Sequence, residues 1–259
     1  MKKKIPILID LDGVIRLGGS PASDALQFLN YLNVEKLPFF ILTNSTRESG
    51  ADVKNFLSRF GITFPINIMT TVDATVEYLK EKNLRASVYC NTNVLEKFAN
   101  FIDDKNPDVV VIGDLGANWS YEILNEIFNK IHSGAGIIAM QKNKFWQPDG
   151  IHPALDAGAF ITALEYASGK NSVLIGKPSP LYFNTALKML GFNPGSPFIM
   201  IGDDLENDIL PAQQLGGIGI LVYTGKTKFP LNSLPGILPD FDSQNLTGVK
   251  ELLNGILEK

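Results

Sequence analysis

Short apolar runs alternate with amphipathic segments along the 259 residues, and this alternation constrains the fold more than any other feature. The runs are three to five residues long and lie at residues 5–9, 39–42, 109–112, 136–140, 173–175, 198–201 and 218–222. Between them apolar residues recur at helical spacing, as at Ala25, Phe28, Leu29 and Leu32. Uninterrupted apolar strands between helices are typical of a parallel sheet that is covered on both faces. The sequence therefore predicts an α/β fold with a parallel sheet.

Local signals predict one helix and one loop. Ser45 and Glu48 have the spacing of a capping box and predict a helix start. Gly61 is expected to end this helix. Its apolar residues are Val53, Phe56, Leu57 and Phe60. Residues 228–242 are rich in proline and lack periodicity, so we expect an ordered surface loop there.

The composition excludes several classes of protein. Hydrophobic residues make up 45% of the chain and charged residues 19%, whereas a disordered chain has fewer apolar and more charged residues. The 23 Lys and Arg residues against 27 Asp and Glu give a net charge of −4, too acidic for a general nucleic-acid binder. The apolar run after residues 2–4 is too short for a secretory signal, and no run reaches the ~18 residues of a membrane span. We therefore expect a cytoplasmic protein with neither nucleic-acid nor membrane partners.

The scarcity of cysteine and histidine limits the metal chemistry. The one cysteine, Cys90, cannot form an internal disulfide, which favours a reducing compartment. With only two histidines beside it, a zinc site with nitrogen and sulfur ligands is not expected. Oxygen atoms would therefore have to hold any metal ion.

Polar residues follow four of the apolar runs. They are, in chain order, Asp10 and Asp12, then Thr43 and Asn44, then Lys177, and finally Asp203, Asp204 and Asp208. In open parallel sheets, ligands bind outside the carboxyl ends of the strands. If these ends meet, the carboxylates outnumber the lysine, and the unbalanced charge calls for a divalent cation. Oxygen ligands favour Mg2+ over Zn2+, and such a site suits a phosphoryl group.

Each of these signals also has a purely structural interpretation. The Asp10-Leu11-Asp12 and Gly202-Asp203-Asp204 sequences suit turns or helix caps. Thr43-Asn44 also suits a helix cap, and Lys177 before a proline suits a solvated loop. Their conjunction, after four separate apolar runs, favours a functional site.

The four motifs together resemble those of the phosphatases of the haloacid dehalogenase superfamily. They read Asp10-Leu11-Asp12-Gly13-Val14, Thr43-Asn44, Gly176-Lys177-Pro178-Ser179-Pro180 and Gly202-Asp203-Asp204-Leu205-Glu206-Asn207-Asp208. The resemblance implies a Rossmann-like, doubly wound parallel sheet core with an inserted α/β cap domain. We expect the hydrolase core at residues 1–76 and 177–259, and a cap of the C2 type at residues 77–176.

Further stretches narrow the resemblance to the NagD-like branch, subfamily IIA. Residues 158–167, followed by residues 176–178, are similar to that branch. Residues 108–112 and 176–180, with Tyr121 and Tyr166, are similar to the phospholysine phosphohistidine inorganic pyrophosphate phosphatases and their haloacid-dehalogenase-like relatives. The resemblance covers nearly the whole chain and is more specific for the reaction than for the substrate.

The resemblance implies catalysis through an aspartyl-phosphate intermediate with Mg2+. Asp10 would be the nucleophile. Asp12 would protonate the leaving oxygen and then deprotonate the attacking water. The carboxylates of Asp10 and Asp203 and the backbone carbonyl of Asp12 would hold the metal. Lys177 would offset charge on the nucleophile and on the phosphoryl oxygens.

Other residues have implied supporting roles. Thr43 and the backbone of Asn44 would bind phosphate oxygens. Asp208 would act through a bound water or orient Lys177. Asp204 is either a supporting residue of the metal site or a helix cap.

The region around the insert holds candidates for substrate selection. Residues 155–160, which include Asp156 and Gly158, resemble the family's specificity loop. Asp156 also suits a helix N-cap, the interpretation that we favour. Arg47 either contacts substrate or lies at the start of a surface helix, and the surface position is favoured.

Two other patterns are interpreted as structural. The Phe145-Trp146 pair either lines the cap or fills its core, and the core is favoured. Gly219 with Gly225-Lys226-Thr227 resembles a phosphate-binding P-loop, but the spacing of its glycines does not fit that motif.

Several functions stay open at this point. The first is hydrolysis of small phosphorylated metabolites, with aryl phosphates as substrates in vitro. Inorganic pyrophosphate and the P–N bonds of phospholysine or phosphohistidine are alternative substrates. A catalytically idle, ligand-binding relative is the alternative of a different class. Proteins of this kind form cap-mediated dimers, but no residue here decides between a monomer and a homodimer.

Overall fold

The structure is a computed structural model that describes residues 5–146, 152–231 and 238–258. The lysines at residues 2–4 and part of the loop predicted at residues 228–242 lie outside the described residues. In the described part, none of the helices combines the length and the apolar character that crossing a membrane requires.

The strands are short, as the apolar runs predicted. They are β1 (Ile7–Asp10), β2 (Arg16–Leu17), β3 (Ser20–Pro21), β4 (Phe39–Thr43), β5 (Ile68–Thr70), β6 (Ala86–Tyr89), β7 (Val109–Ile112), β8 (Gly136–Ala139), β9 (Phe145–Trp146), β10 (Ala154–Leu155), β11 (Val173–Leu174), β12 (Ile199–Gly202), β13 (Ile218–Val222) and β14 (Phe241–Ser243).

Helices connect most of these strands. They are α1 (Ala25–Val34), α2 (Gly50–Ser58), α3 (Thr71–Lys82), α4 (Thr92–Leu95), α5 (Tyr121–His132), α6 (Ala157–Ser168), α7 (Pro180–Met189), α8 (Leu210–Gln214) and α9 (Leu246–Leu257). Short 3₁₀ turns lie at Glu96–Phe98 and Gly116–Asn118, and a π-helical turn lies at Leu205–Ile209.

The chain divides into two compact units. The first comprises Met1–Thr43, Gly50–Met69 and Lys177–Lys259, and the second comprises Asn44–Ser49 and Thr70–Gly176. The boundary expected between residues 76 and 77 falls inside α3, and the structure groups this whole helix with the second unit. A reciprocal capping box begins α3, in which Thr70 and Asp73 each bond the backbone N–H of the other.

A six-stranded sheet forms the centre of the first unit, in the order β14-β13-β12-β1-β4-β5. β1 pairs in parallel with both β4 and β12, and β13 pairs in parallel with β12 and β14. All four residues of β1 are buried, as expected for a strand between two parallel neighbours in a sheet covered on both faces. The predicted α/β fold with a parallel sheet is confirmed.

The core of this unit lies on both faces of the sheet. Ile7 and Ile9 join one apolar cluster with residues of α1 and α9, while Leu8 points to the opposite face and is equally buried. The predicted helical face of α1 is confirmed, because Ala25, Phe28, Leu29 and Leu32 are its buried residues.

The second unit has its own four-stranded parallel sheet, in the order β11-β8-β7-β6. Helices α5 and α6 pack with it in a separate apolar cluster that contains Val110, Ile127, Ile131 and Ile161. The strand predicted at residues 173–175 is therefore β11 of this second sheet, and Lys177 is the first residue of the chain's return to the first unit.

The predicted capping box at Ser45 and Glu48 is wrong, because α2 begins only at Gly50. Tertiary contacts hold the preceding segment in another conformation. The Thr71 hydroxyl donates to the Ser45 carbonyl at 2.7 Å, and the Asp114 N–H donates to the Thr46 hydroxyl at 3.3 Å. These hydrogen bonds connect Asn44–Ser49 with the rest of the second unit.

Two other boundaries differ from the sequence prediction. The loop predicted at residues 228–242 ends earlier, because β14 begins at Phe241 and pairs with β13. The helix predicted to reach Phe60 ends at Ser58, and Phe60 lies in the turn before Gly61. Pairing of the edge strand β14 sets the first boundary, and a short turn after α2 sets the second. Neither feature produces a periodic pattern in the sequence.

The buried Tyr182 hydroxyl ties two strands of the first unit together, and its removal is a test of the fold. The hydroxyl oxygen lies 2.7 Å from the carbonyl oxygens of both Thr43 and Met69. Tyr182→Phe leaves these carbonyls without that donor, so we expect a loss of about 1–3 kcal/mol in the free energy of unfolding. Urea denaturation measures it. Tyr166→Phe, at a side chain that is 92% exposed, should change stability little, and equal effects of the two substitutions would contradict this role for Tyr182.

Candidate active site

Three buried carboxylates meet at the carboxyl edge of the six-stranded sheet. Asp10 is the last residue of β1, and Asp203 follows the neighbouring strand β12. Asp208 lies in the π-helical turn after β12 and is fully buried. One carboxylate oxygen from each residue lies within 4.8 Å of the other two. The structure therefore brings together three of the acids that the sequence placed at strand ends.

Lys177 lies among these acids. Its Nζ is 2.7 Å from Asp10 Oδ1 and 2.7 Å from Asp208 Oδ1, and its side chain is buried. Asp10 Oδ1 also accepts the N–H of Leu11 at 2.8 Å. Lys177 is thus held between the expected nucleophile and Asp208, and its charge offsets only one of the three acids.

The pKa values of the cluster follow from burial and crowding. Burial, followed by the charge of Asp208, raises the pKa of Asp10 well above its ordinary value. The same two causes raise the pKa of Asp203 from 3.8 to about 6. Burial alone would lower the pKa of Lys177, but Asp10 and Asp208 raise it above its ordinary value. The lysine is therefore protonated, while the acids are poorly compensated at neutral pH.

The acid cluster fits a hard divalent cation. Its donors are carboxylate oxygens of Asp10, Asp203 and Asp208. Mg2+ binds oxygen ligands of this kind, whereas protein sites for Zn2+ also use nitrogen and sulfur ligands. A cation would also supply the charge that Lys177 alone does not. Asp208 belongs to this cluster beside the two carboxylates expected to hold metal, but one of its oxygens already accepts from Lys177.

The side chain of Asp12 has different partners. Thr43 Oγ1 donates to Asp12 Oδ2 at 2.8 Å, and Arg16 Nε donates to Asp12 Oδ1 at 2.7 Å. Thr43 ends β4, the other neighbour of β1, and is buried, whereas the Asp12 side chain is half exposed. The structure therefore places Thr43 beside Asp12 at the carboxyl ends of neighbouring strands. Asn44 follows it directly in the chain and is grouped with the second unit.

Asp204 is a helix cap that also binds a lysine. Its carboxylate accepts the N–H groups of Glu206 and Asn207 at the start of the π-helical turn. Lys226 Nζ lies 2.6 Å from Asp204 Oδ2. Burial alone would raise the pKa of Asp204, but the hydrogen bond and charge of Lys226 hold it below its ordinary value.

The sequence analysis missed the contribution of Gly225 and Lys226. The Lys226 N–H donates to Asp203 Oδ2 at 2.5 Å. A Cβ atom at Gly225, or at Gly13 with its φ of +88°, would overlap the Asp203 carboxylate. Their sequence resembles a P-loop, and that pattern does not indicate this contact. Their position after the run at residues 218–222 does indicate it, because they follow the carboxyl end of β13 beside β12.

In the second unit, Asp156 and Gly158 begin α6. Asp156 is its N-cap and accepts the Ala157 N–H at 2.7 Å, so that interpretation is confirmed. Gln141 Nε2 also donates to Asp156 at 2.7 Å, and burial raises the pKa of the Asp156 carboxyl. A Cβ at Gly158 would lie 2.5 Å from the backbone of residues 142–143, so a glycine is required there for close approach.

Arg47 and Trp146 form a second pair in this unit. Arg47 precedes α2, is half exposed, and contacts Asp114 at 3.4 Å. Its guanidinium carbon lies 5.7 Å from the centre of the Trp146 ring. The expectation that Phe145 and Trp146 fill a core is wrong, since both are exposed, at 55% and 42%. They lie on β9, which pairs only with β10 among the described strands.

Replacing Asp203 tests the charge balance of the cluster. Because folding raises its pKa from 3.8 to about 6, the ionised carboxylate costs stability above pH 6, and the cost disappears below about pH 4. In chelator at pH 7.5, Asp203→Asn should therefore raise the free energy of unfolding by about 3 kcal/mol. Calorimetry with and without Mg2+ measures it. A destabilised variant in chelator, or no difference between pH 7.5 and pH 4, would contradict the proposed charge crowding.

Replacing Gly225 tests the support of Asp203. The Cβ of Gly225→Ala displaces the Asp203 carboxylate, so we expect Mg2+ affinity to fall about 10–100-fold, as for other changes in residues that orient metal ligands. Titration calorimetry with Mg2+ measures it. Gly19→Ala is the matched control, because a Cβ there has nothing within 4 Å. Unchanged affinity in Gly225→Ala would exclude this role.

Two family models and several individual proteins match this chain. A model of haloacid dehalogenase-like hydrolases matches residues 7–103, and a second HAD-hydrolase-like model matches residues 174–247. The chain is 31% identical over 261 residues to phospholysine phosphohistidine inorganic pyrophosphate phosphatase from Rattus norvegicus, covering 98% of this chain and 95% of that protein.

Solved structures show the same fold. A 4-nitrophenylphosphatase from Thermotoga maritima has a TM-score of 0.83 and 26% identity, with 96% of this chain and 97% of that chain covered. NagD from E. coli has a TM-score of 0.81 and 25% identity, with 95% and 98% covered. Both family models and a full-length relative above 30% identity agree with the motifs and the sheet topology. The chain belongs to the haloacid dehalogenase-like hydrolases, in their NagD-like branch.

Proposed function

We propose that this chain is a Mg2+-dependent phosphatase that hydrolyses small phosphorylated metabolites through an aspartyl-phosphate. The observation that carries the proposal is the buried contact between Asp10 and Lys177 at 2.7 Å, beside the carboxylates of Asp203 and Asp208. A carboxylate held against an ammonium group at a strand end is suited to attack an electrophile that brings negative charge. The phosphatase names of the relatives support the same reaction.

Asp10 is the nucleophile in this proposal. Its carboxylate oxygen attacks phosphorus, the bond from phosphorus to the leaving oxygen breaks, and an aspartyl-phosphate forms. Lys177 offsets the negative charge of Asp10 and of the phosphoryl oxygens. Asp208 acts as a positioning residue, because its contact at 2.7 Å orients the Lys177 ammonium group.

Asp12 transfers protons in both halves of the reaction. It gives a proton to the leaving oxygen, and it then takes a proton from the water that attacks the aspartyl-phosphate. The Thr43 hydroxyl and the Asn44 backbone bind phosphoryl oxygens. The position of Thr43 at the end of β4, next to β1, supports this assignment.

The carboxylates of Asp10 and Asp203 and the backbone carbonyl of Asp12 are the proposed holders of Mg2+. When bound, the ion supplies positive charge that stabilises the phosphoryl oxygens. Asp203 is held for this purpose by the Lys226 N–H and by the close backbones of Gly13 and Gly225. Asp204 supports the same loop through its contact with the Lys226 side chain.

We assign to residues 77–176, which lie within the second unit, the role of a C2-type cap that selects the leaving group. Asp156 and Gly158 in this cap, together with Arg47 outside it, are the proposed selecting residues, alongside their observed structural contacts. We place the protein in the cytoplasm, which its one cysteine supports, with a small phosphorylated molecule as substrate and neither nucleic acid nor membrane as partner.

Pyrophosphate and P–N phosphates are the second candidate substrates. A full-length relative whose name specifies phospholysine, phosphohistidine and pyrophosphate favours them. The presence of Asp10, Asp12, Lys177 and Asp203 argues against the alternative of an idle ligand-binding relative. A panel of phosphomonoesters, pyrophosphate and phospholysine, ranked by kcat/KM, separates the substrate classes.

The nucleophile provides the direct test. Wild-type protein should hydrolyse p-nitrophenyl phosphate with Mg2+ and lose this activity in chelator. Asp10→Asn should lower kcat by about three orders of magnitude or more, because the covalent intermediate no longer forms. Release of nitrophenol is followed spectrophotometrically. Asp242→Asn, at an exposed aspartate of β14, is the matched control. Substantial turnover by Asp10→Asn would exclude the aspartyl-phosphate mechanism, and an inactive, folded wild type that binds Mg2+ would favour the idle relative.

A further inference from the structure

Arg16 holds the side chain that the proposed mechanism uses for proton transfer. Its Nε donates to Asp12 Oδ1 at 2.7 Å, and the Arg16 side chain is only 15% exposed. Asp12 itself is half exposed, so packing alone does not fix its carboxylate. The sequence analysis gave Arg16 no role.

The surroundings of Arg16 make it a rigid anchor. Its N–H donates to the Leu11 carbonyl at 2.7 Å, and its carbonyl accepts the Gly13 N–H at 2.8 Å. These two bonds close the turn that contains Asp12. The guanidinium carbon also lies 5.5 Å from the centre of the Phe56 ring in α2. Arg16 is therefore fixed from both its backbone and its side chain.

The two carboxylate oxygens of Asp12 accept hydrogen bonds from different donors, Arg16 and Thr43. Thr43 Oγ1 has one proton, and in this structure it donates that proton to Asp12 Oδ2. In the proposed mechanism Thr43 binds a phosphoryl oxygen instead, so Oδ2 loses this donor when substrate is present. Oδ2 is then available to carry the proton for the leaving oxygen. This exchange does not involve Oδ1, which accepts from Arg16 Nε.

We propose that Arg16 is a positioning residue that holds Asp12 by Oδ1, so that Oδ2 faces the leaving oxygen once Thr43 has turned to the phosphoryl group. This inference rests on the proposed phosphatase function and adds a determinant of leaving-group preference to it. A poor leaving group needs the proton from Asp12 as its bond to phosphorus breaks. A good leaving group departs without it, so formation of the aspartyl-phosphate from such a substrate does not depend on Arg16.

The test compares substrates that differ in their leaving group. The substrates are dinitrophenyl phosphate, phenyl phosphate and glycerol phosphate, each assayed with Mg2+. Arg16→Met keeps an apolar stem over Phe56 and removes the donor. We expect kcat/KM for phenyl and glycerol phosphates to fall ~10-fold or more, as for other displaced catalytic groups, with most of the loss in kcat. For dinitrophenyl phosphate we expect kcat/KM to change by no more than about twofold, since formation of the aspartyl-phosphate from this substrate needs no acid.

Two further variants complete the design. Arg16→Lys keeps a cationic donor and should recover part of the lost rate on phenyl phosphate, with the same order of substrates. It also carries the test should Arg16→Met fail to fold. Arg59→Met is the matched control, because Arg59 is an exposed arginine just after α2, and it should leave all three rates unchanged.

The outcomes separate this inference from the proposed function. An equal loss on all substrates, no loss on any, or no recovery in Arg16→Lys would overturn the role of Arg16 while the phosphatase assignment stands. A wild type that hydrolyses none of the substrates would overturn both. Selective loss on poor leaving groups, in a variant whose melting temperature matches the wild type, supports Arg16 as the anchor of Asp12.

Discussion

The buried contact of Lys177 with Asp10 and Asp208 is the interaction on which the rest of the site depends. Both distances are 2.7 Å, and burial raises the pKa of each of these acids. Without an ammonium group between them, two like charges would be buried close together, which is costly. Lys177 therefore offsets part of the charge of a carboxylate, Asp10, at the end of a fully buried strand.

Chain order explains how this lysine reaches the site. Lys177 follows β11, a strand of the second unit, and is the first residue of the return to the first unit. The residue that directly follows the insertion, Lys177, is thus the one that lies among the buried acids. A change in the length of the insert that displaced Lys177 would remove the cation that lies between Asp10 and Asp208.

The sequence alone predicts the sheet and the acids, because continuous apolar runs mark buried strands and ligand groups follow their carboxyl ends. It fails where tertiary contacts override local signals. Ser45 and Glu48 have the spacing of a capping box, but hydrogen bonds to the second unit hold that segment outside the helix. Lys226 supports Asp203 through a backbone N–H, a donor that every residue except proline has, so its identity carries no signal.

The negative charges of the acids at this edge are offset by different groups, and the differences indicate where a cation would bind. Asp12 is paired with Arg16, Asp204 with Lys226, and Asp208 with Lys177, each through a side-chain cation. The close contact described for the Asp203 carboxylate is instead with a neutral backbone N–H. Since Lys177 lies 2.7 Å from both Asp10 and Asp208, its one positive charge faces the three carboxylates of Asp10, Asp203 and Asp208. A divalent cation bound at this cluster, as proposed for Mg2+, would supply the positive charge that the described side chains leave missing there.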